Sequence, residues 1–209
     1  MVAIPPRRSP TVDAIYDAIR NSRENFDSIG IGFGIAGHAC DRYLWLSLRW
    51  VSPHKEFDGQ KIRVMQRGNM EEDRVCTDLT AIGCLVYDQQ KNVRLADGWL
   101  RGRIDGQATG LIEAPKAEHV LEIKSAEQKY YTPIKKKGVK EGKPEHFTQL
   151  QLGMDATGTE RGAYILVNRN TEDMHIERVK HDAGFCASIV ARVTRIVKTE
   201  TIPPRIDDN

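Results

Sequence analysis

Three side chains near the middle of the chain have the types and spacing to do chemistry. Asp105 lies in Arg103-Ile104-Asp105-Gly106, where an apolar segment runs into a glycine turn. Further on comes Leu121-Glu122-Ile123-Lys124-Ser125. Side chains alternate across a β-strand, so Glu122 and Lys124 share one face while Leu121 and Ile123 turn to the core. Burying such a pair is unfavourable without a partner, and a metal ion with a phosphate would be suitable partners. The plain alternative is an i, i+2 salt bridge on an exposed strand. Hydrolysis of a phosphodiester requires neutralisation of developing charge, an activated water and alignment of both. Magnesium takes oxygen ligands, few of them protein carboxylates. Two or three carboxylates converging at strand ends beside a lysine are therefore the pattern this chemistry needs.

Two further stretches flank that centre. Upstream is Arg67-Gly68-Asn69-Met70-Glu71-Glu72, and downstream is Gln149-Leu150-Gln151-Leu152-Gly153-Met154. With the D…ExK centre, these resemble the GxxxE and QxQ helices of the PD-(D/E)xK nuclease superfamily, in its RecB-like, lambda-exonuclease-like and YqaJ-type phage recombinase branch. Cys40-Asp41-Arg42-Tyr43-Leu44-Trp45 is similar to the first helix of RecB-like nucleases. The likeness spans roughly residues 38–180. It implies a restriction-endonuclease-like α/β core, a central mixed β-sheet of about five strands flanked by helices.

The resemblance also implies roles. Asp105, Glu122 and the Ile123 carbonyl would hold Mg2+ or Mn2+, with Glu72 binding a second metal or orienting its water. Lys124 would lower the pKa of the attacking water or stabilise charge at the phosphate. Gln149 would sit at the rim of the site, or else be a helix-surface glutamine. Arg42 has a fork that suits a terminal 5′-phosphate, or a salt bridge on its own helix. Tyr130 and Tyr131 could stack on a splayed base or simply pack, and Lys135, Lys136 and Lys137 would hold phosphate. Some positions depart from the pattern. Ile104 stands where the superfamily name has proline, and Glu71 competes with Glu72, which the glycine spacing favours. No cysteine cluster follows the core, so no iron–sulfur cluster is expected.

Hydrophobic periodicity supplies the elements around these residues. Thr11 reads as the N-cap of a helix over 12–25, and the glycine-rich 30–37 as a loop, since no GK[ST] follows it. Helices are expected over 38–50 and 61–79, the latter with Val64, Met65, Met70, Val75 and Leu79 as core candidates. Strands follow over 82–88, 93–104 and 119–124, with Gln107–Glu118 as an extended turn. A lysine-rich loop, 129–143, leads to a helix over 146–156. Strands over 163–168 and 174–179 and a helix over 182–198 close the chain. The expected layout is one nuclease domain over 11–200 between tails 1–10 and 201–209.

Composition sets wider bounds. The 209 residues carry 31 Lys+Arg and 29 Asp+Glu, a net charge of +2, so only the local lysine run reads as basic. Cys40, Cys76, Cys84 and Cys186 lack CxxC spacing and read as free thiols. All six histidines read as structural or surface residues. No apolar run is long enough for a membrane span, and the start lacks a signal-peptide core. A cytoplasmic setting is expected, the host's if the chain is phage-encoded. The expected activity is metal-dependent exonuclease action on linear double-stranded DNA ends, in phage recombination or DNA processing. A single-strand annealing protein and a homo-oligomer are partners by analogy. The alternatives are a structure-specific or restriction-like endonuclease and a catalytically silent DNA-binding module.

Overall fold

A computed structural model describes residues 9–22, 29–49 and 57–206. The tail before residue 9, the end of the first expected helix beyond 22, Trp50, most of the 52–60 loop and residues 207–209 lie outside the described residues. The elements run α1 (Pro10–Asn21), β1 (Ile31–Gly32), α2 (Phe33–Ala36), α3 (Asp41–Leu48), α4 (Gly59–Ala81), β2 (Leu85–Tyr87), β3 (Asn92–Leu95), β4 (Leu100–Arg103), β5 (Gly106–Thr109) and β6 (His119–Ala126). They continue with α5 (Gln128–Lys137), α6 (Val139–Gly142), α7 (Pro144–Thr157), β7 (Arg161–Asn168), β8 (Met174–Lys180) and α8 (Ala183–Lys198). The fold is a mixed α/β arrangement with a five-stranded sheet in the order β2-β5-β6-β7-β8 and a three-stranded sheet in the order β1-β4-β3.

The large sheet is antiparallel except where β6 and β7 run parallel, from Val120↔Gly162 to Ala126↔Asn168. A parallel pair needs a long crossover, and α5, α6 and α7 provide it. Alternation along β6 divides its side chains between two cores. Leu121 and Ile123 pack with Val75, Cys76 and Leu79 of α4 and with Ala163, Ile165 and Val167 of β7. Val120 and Ala126 join Tyr164, Leu166, Leu150 and Met154 of α7, and Ile189 and Val193 of α8. β7, buried on both faces, is accordingly an almost unbroken apolar run.

Several expectations are corrected. The 129–143 segment is helical, because Tyr131 and Ile134 bury one face of α5 and Gln128 donates to the Thr132 hydroxyl one turn on. The 93–104 stretch is a hairpin, turned at Ala96, Asp97 and Gly98, all with positive φ. The extended turn over 107–118 begins as strand β5, and an isolated Leu111↔Ala114 bridge closes it. The glycine-rich segment contains β1 and the short α2. Gly37 lies so close to the Thr148 hydroxyl, 2.6 Å from an added Cβ, that its role is close packing of α2 on α7. Helix α1 starts at Pro10 after Ser9, not at a Thr11 cap. On α4 Val75 and Leu79 are core residues, with Ile62 and Cys76, but Val64, Met65 and Met70 face outward.

Candidate active site

Asp105 sits where the chain leaves the small sheet and enters the large one, between the end of β4 and the start of β5. Gly106 is the first residue of β5 and pairs with Leu121 of β6. Beyond that pair the ladder stops, so the N–H of Ile123 has no strand partner. The Asp105 carboxylate takes it, Ile123 N donating to Oδ2 at 2.7 Å. An abrupt strand divergence thus brings a carboxylate from one strand beside the backbone of the next.

Glu122 and Lys124 project from β6 on the face that α7 covers. The Lys124 ammonium lies 2.6 Å from Glu122 Oε1 and 3.4 Å from Asp105 Oδ2, and donates to the Ile123 carbonyl at 3.0 Å. Those three oxygens are the ones the sequence nominated for a metal ion, and the ammonium supplies the positive charge among them. Glu122 is 2% exposed, and its buried Oε1 meets the Lys124 ammonium and, among the described residues, no other donor. A hard cation is the natural ligand of such an oxygen, so the residues present fit a divalent ion.

Glu72 on α4 completes the acidic group. Its Oε2 accepts from the Gln90 amide at 2.9 Å, while Glu71 turns to Arg74, 3.8 Å away. Gln90, with φ of 56°, also donates its backbone N–H to the Asp105 carbonyl at 3.4 Å. One loop residue therefore ties α4 to the Asp105 corner. Glu72 is not in direct contact with the other acids. Among the described residues, only Asp155, His181 and Cys186 place three such ligand atoms within 4.8 Å of one another. Their polar atoms are satisfied within the fold: His181 pairs with Asp155 at 3.1 Å, and the Cys186 thiol donates to the Gln151 carbonyl.

The electrostatics follow from burial and neighbours. Burial raises the Glu122 carboxyl to about 8, with Asp105 and Glu72 adding to the rise and Lys124 opposing it. Burial works against the Lys124 ammonium, but Glu122 and Asp105 outweigh it and hold its pKa above the usual lysine range. Glu72 is raised, by burial first and then by Asp105.

Gln149 is half-buried on α7, its Oε1 beside Gly34 of α2. The neighbouring Gln151 is fully buried and belongs to the architecture. It donates to the Lys180 carbonyl and accepts from the Asp182 N–H, each at 2.8 Å. Two residues by the site escaped the sequence reading. His146 bonds the Tyr164 hydroxyl at 2.8 Å, and Tyr164 is the cross-strand partner of Glu122. Burial, then Lys124 and Lys143, lower His146 to about 3, so it is neutral. No spacing rule marks a histidine from one helix and a tyrosine from one strand as neighbours.

Of the nucleic-acid candidates, Tyr131, Lys135, Lys136 and Lys137 share α5, while Arg42 lies on α3. Tyr131 is 2% exposed and its hydroxyl bonds Asp173, which corrects its reading as a stacking residue; Tyr130 beside it is exposed. Lys135 pairs with the same Asp173 at 2.9 Å. Lys136 and Lys137 are exposed at the C-terminal end of α5, where cations complement the helix dipole. Arg42 donates to the Pro203 carbonyl at 3.1 Å. With Trp45 and Arg49, which both bond the Thr199 carbonyl, it fastens the C-terminal segment to α3.

No family model and no curated protein matches the chain. Solved structures do. A protein designated SSO0001 superposes with a TM-score of 0.55 at 13% identity, over 93% of this chain and 89% of that one. An alkaline exonuclease, LHK-Exo, from Laribacter hongkongensis gives 0.55 at 16% identity, over 88% and 90%. The same enzyme in complex with dAMP gives 0.52 at 16%, over 80% and 86%. The chain therefore shares its fold with these structures, the alkaline exonuclease LHK-Exo among them. No helix among the described residues is long and apolar enough to cross a membrane.

Proposed function

We propose that the chain is a divalent-metal-dependent deoxyribonuclease that degrades linear double-stranded DNA from its ends. The observation that carries this reading is the set of three oxygens, from Asp105, Glu122 and Ile123, gathered around one ammonium in a buried pocket. Asp105, Glu122 and the Ile123 carbonyl would hold Mg2+ or Mn2+, with Glu72 beside them. The bound ion would neutralise charge on the scissile phosphate and activate water.

The chain's own groups do the remaining work. Asp105 fixes the backbone of Ile123, and so aims its carbonyl, through the N–H it accepts. Lys124 offers its positive charge to a phosphate oxygen, where preorganised charge acts in a site largely closed to water. Tyr164, the cross-strand partner of Glu122, has its hydroxyl bonded to the neutral His146. The likeness to LHK-Exo, a structure of which holds dAMP, supports exonuclease action. By resemblance, the proposal extends to a role in phage recombination with a single-strand annealing partner and a homo-oligomeric assembly.

End-labelled linear duplex and covalently closed circular DNA, incubated with Mg2+, Mn2+ or EDTA, test the reading. Metal-dependent release of nucleotides from the linear form alone is the expected result. Nicking of the circle would identify an endonuclease, and no cleavage in either metal would remove the enzymatic reading.

A further inference from the structure

We infer that the outer face of the three-stranded sheet carries the phosphate backbone of the DNA strand into the acidic cluster, and that the lysine-rich helix α5 does not. The inference rests on the nuclease reading and names the surface its substrate uses.

Register places the relevant side chains on one face. In the β3–β4 hairpin Arg94 pairs with Arg101 and Asn92 with Arg103. Alternation then sets these four together. Their neighbours Val93 and Leu100 turn inward to the core. At Gly102 an added Cβ would lie 2.1 Å from the Phe33 ring, so α2 packs flush against the inner face. A groove of about 540 Å³ runs along the outer face, lined by Gln90, Asn92, Arg94, Arg101 and Arg103 among others.

Two guanidinium groups directly opposite across a ladder repel one another. Among the described residues no carboxylate forms an ion pair with Arg94, Arg101 or Arg103. Arg101 donates only to the Gly98 carbonyl, at 3.1 Å. In the α5–α6 region Lys129 pairs with Glu127, Lys135 with Asp173 and Lys143 with Glu145, while Lys136, Lys137 and Lys140, among the described residues, form no ion pair and lie away from the groove that borders the acids. A row of unmatched arginines is a site whose counter-charge comes from outside, and planar guanidinium forks suit phosphate oxygens.

The groove also leads to the right place. Gln90 on its wall holds Glu72, and the charge of Arg103 is felt at Glu72. Arg103 lies two residues before Asp105. A phosphate bound along the arginine row is therefore followed in space by the acids that would hold the metal.

Binding of a labelled duplex in EDTA, titrated with salt, tests this. Each phosphate contact contributes close to one unit to the slope of log affinity against log salt. Arg94→Ala and Arg101→Ala are each expected to lower that slope by about one, and in the cleavage assay to raise KM with kcat little changed. Lys136→Ala/Lys137→Ala should leave both unchanged. Arg94→Glu separates binding from folding: it places a carboxylate opposite Arg101, so the melting temperature should hold or rise while affinity falls about tenfold or more. Unchanged slopes in the arginine variants, with the loss in the lysine variant, would overturn the inference and leave the nuclease reading standing. Arginine-dependent binding without cleavage in any metal would keep the inference and remove the nuclease reading. A wild-type chain that neither binds nor cleaves DNA overturns both.

Discussion

Two buried polar clusters lie on either side of helix α7, and they are built to opposite rules. Around Gln151 both side-chain atoms are used, joining the end of β8 to the start of α8, and the Cys186 thiol bonds the Gln151 carbonyl. Around Glu122, two carboxylates and a backbone carbonyl share one ammonium, and Glu122 Oε1 meets no other donor among the described residues. A buried polar group whose bonds are complete costs the fold little. One left short is destabilising, and it persists where something else completes it. The satisfied cluster is architecture, and the unsatisfied one is where a ligand is expected.

The sharpest test is Glu122→Gln. It removes a buried ionisable carboxyl and leaves Lys124 with Asp105 and the Ile123 carbonyl. Cleavage should fall by about a thousandfold, while the metal-free melting temperature stays level or rises. Mg2+ should raise the melting temperature of the wild type by mass action and leave the variant unmoved. A variant that cleaves normally would break the comparison at its functional end.

Gln151→Ala tests the other end. It orphans the Lys180 carbonyl and the Asp182 N–H, at roughly 2–4 kcal/mol, or a fall of about 5–15 °C in melting temperature. Turnover per folded molecule should be unchanged. A slow enzyme of normal stability would instead show that Gln151 acts at the site.

Gln90→Ala should give a smaller effect with a distinctive cure. Glu72 loses its hydrogen bond, so about tenfold more Mg2+ should be needed for half-maximal cleavage, with the maximal rate recovered at high metal. A loss that metal does not restore would assign Gln90 another role.

The smallest effect is a slope. His146 sits well below its ordinary 6.5, at about 3, so between those values the unfolded chain binds more protons than the folded one. Stability present above pH 6.5 is therefore lost as pH falls through that window. Denaturant melts of wild type and His146→Gln should diverge there, the variant showing the flatter dependence.

Much of the candidate site was legible because it is carried by local spacing. The i, i+2 pair of Glu122 and Lys124 must share a strand face, and the helical register that presents Glu72 turns Glu71 to Arg74. The lysine-rich segment was misread because its charges mask the Tyr131 and Ile134 positions that make it helical. Val64, Met65 and Met70 were misplaced because apolar residues on a long helix need not all meet a core.

Thus the mixed α/β class, the longer helices and strands and the shared face of Glu122 and Lys124 were determined by sequence alone, since each depends on periodicity along a short stretch. Tertiary structure decided the rest. The Asp105–Ile123 bond depends on where two strands diverge. The split between Gln149 and Gln151 depends on what each face of α7 meets, and the arginine row depends on a cross-strand register. These are contacts between residues far apart in the chain, and no spacing along it encodes which charges end up matched and which are left open.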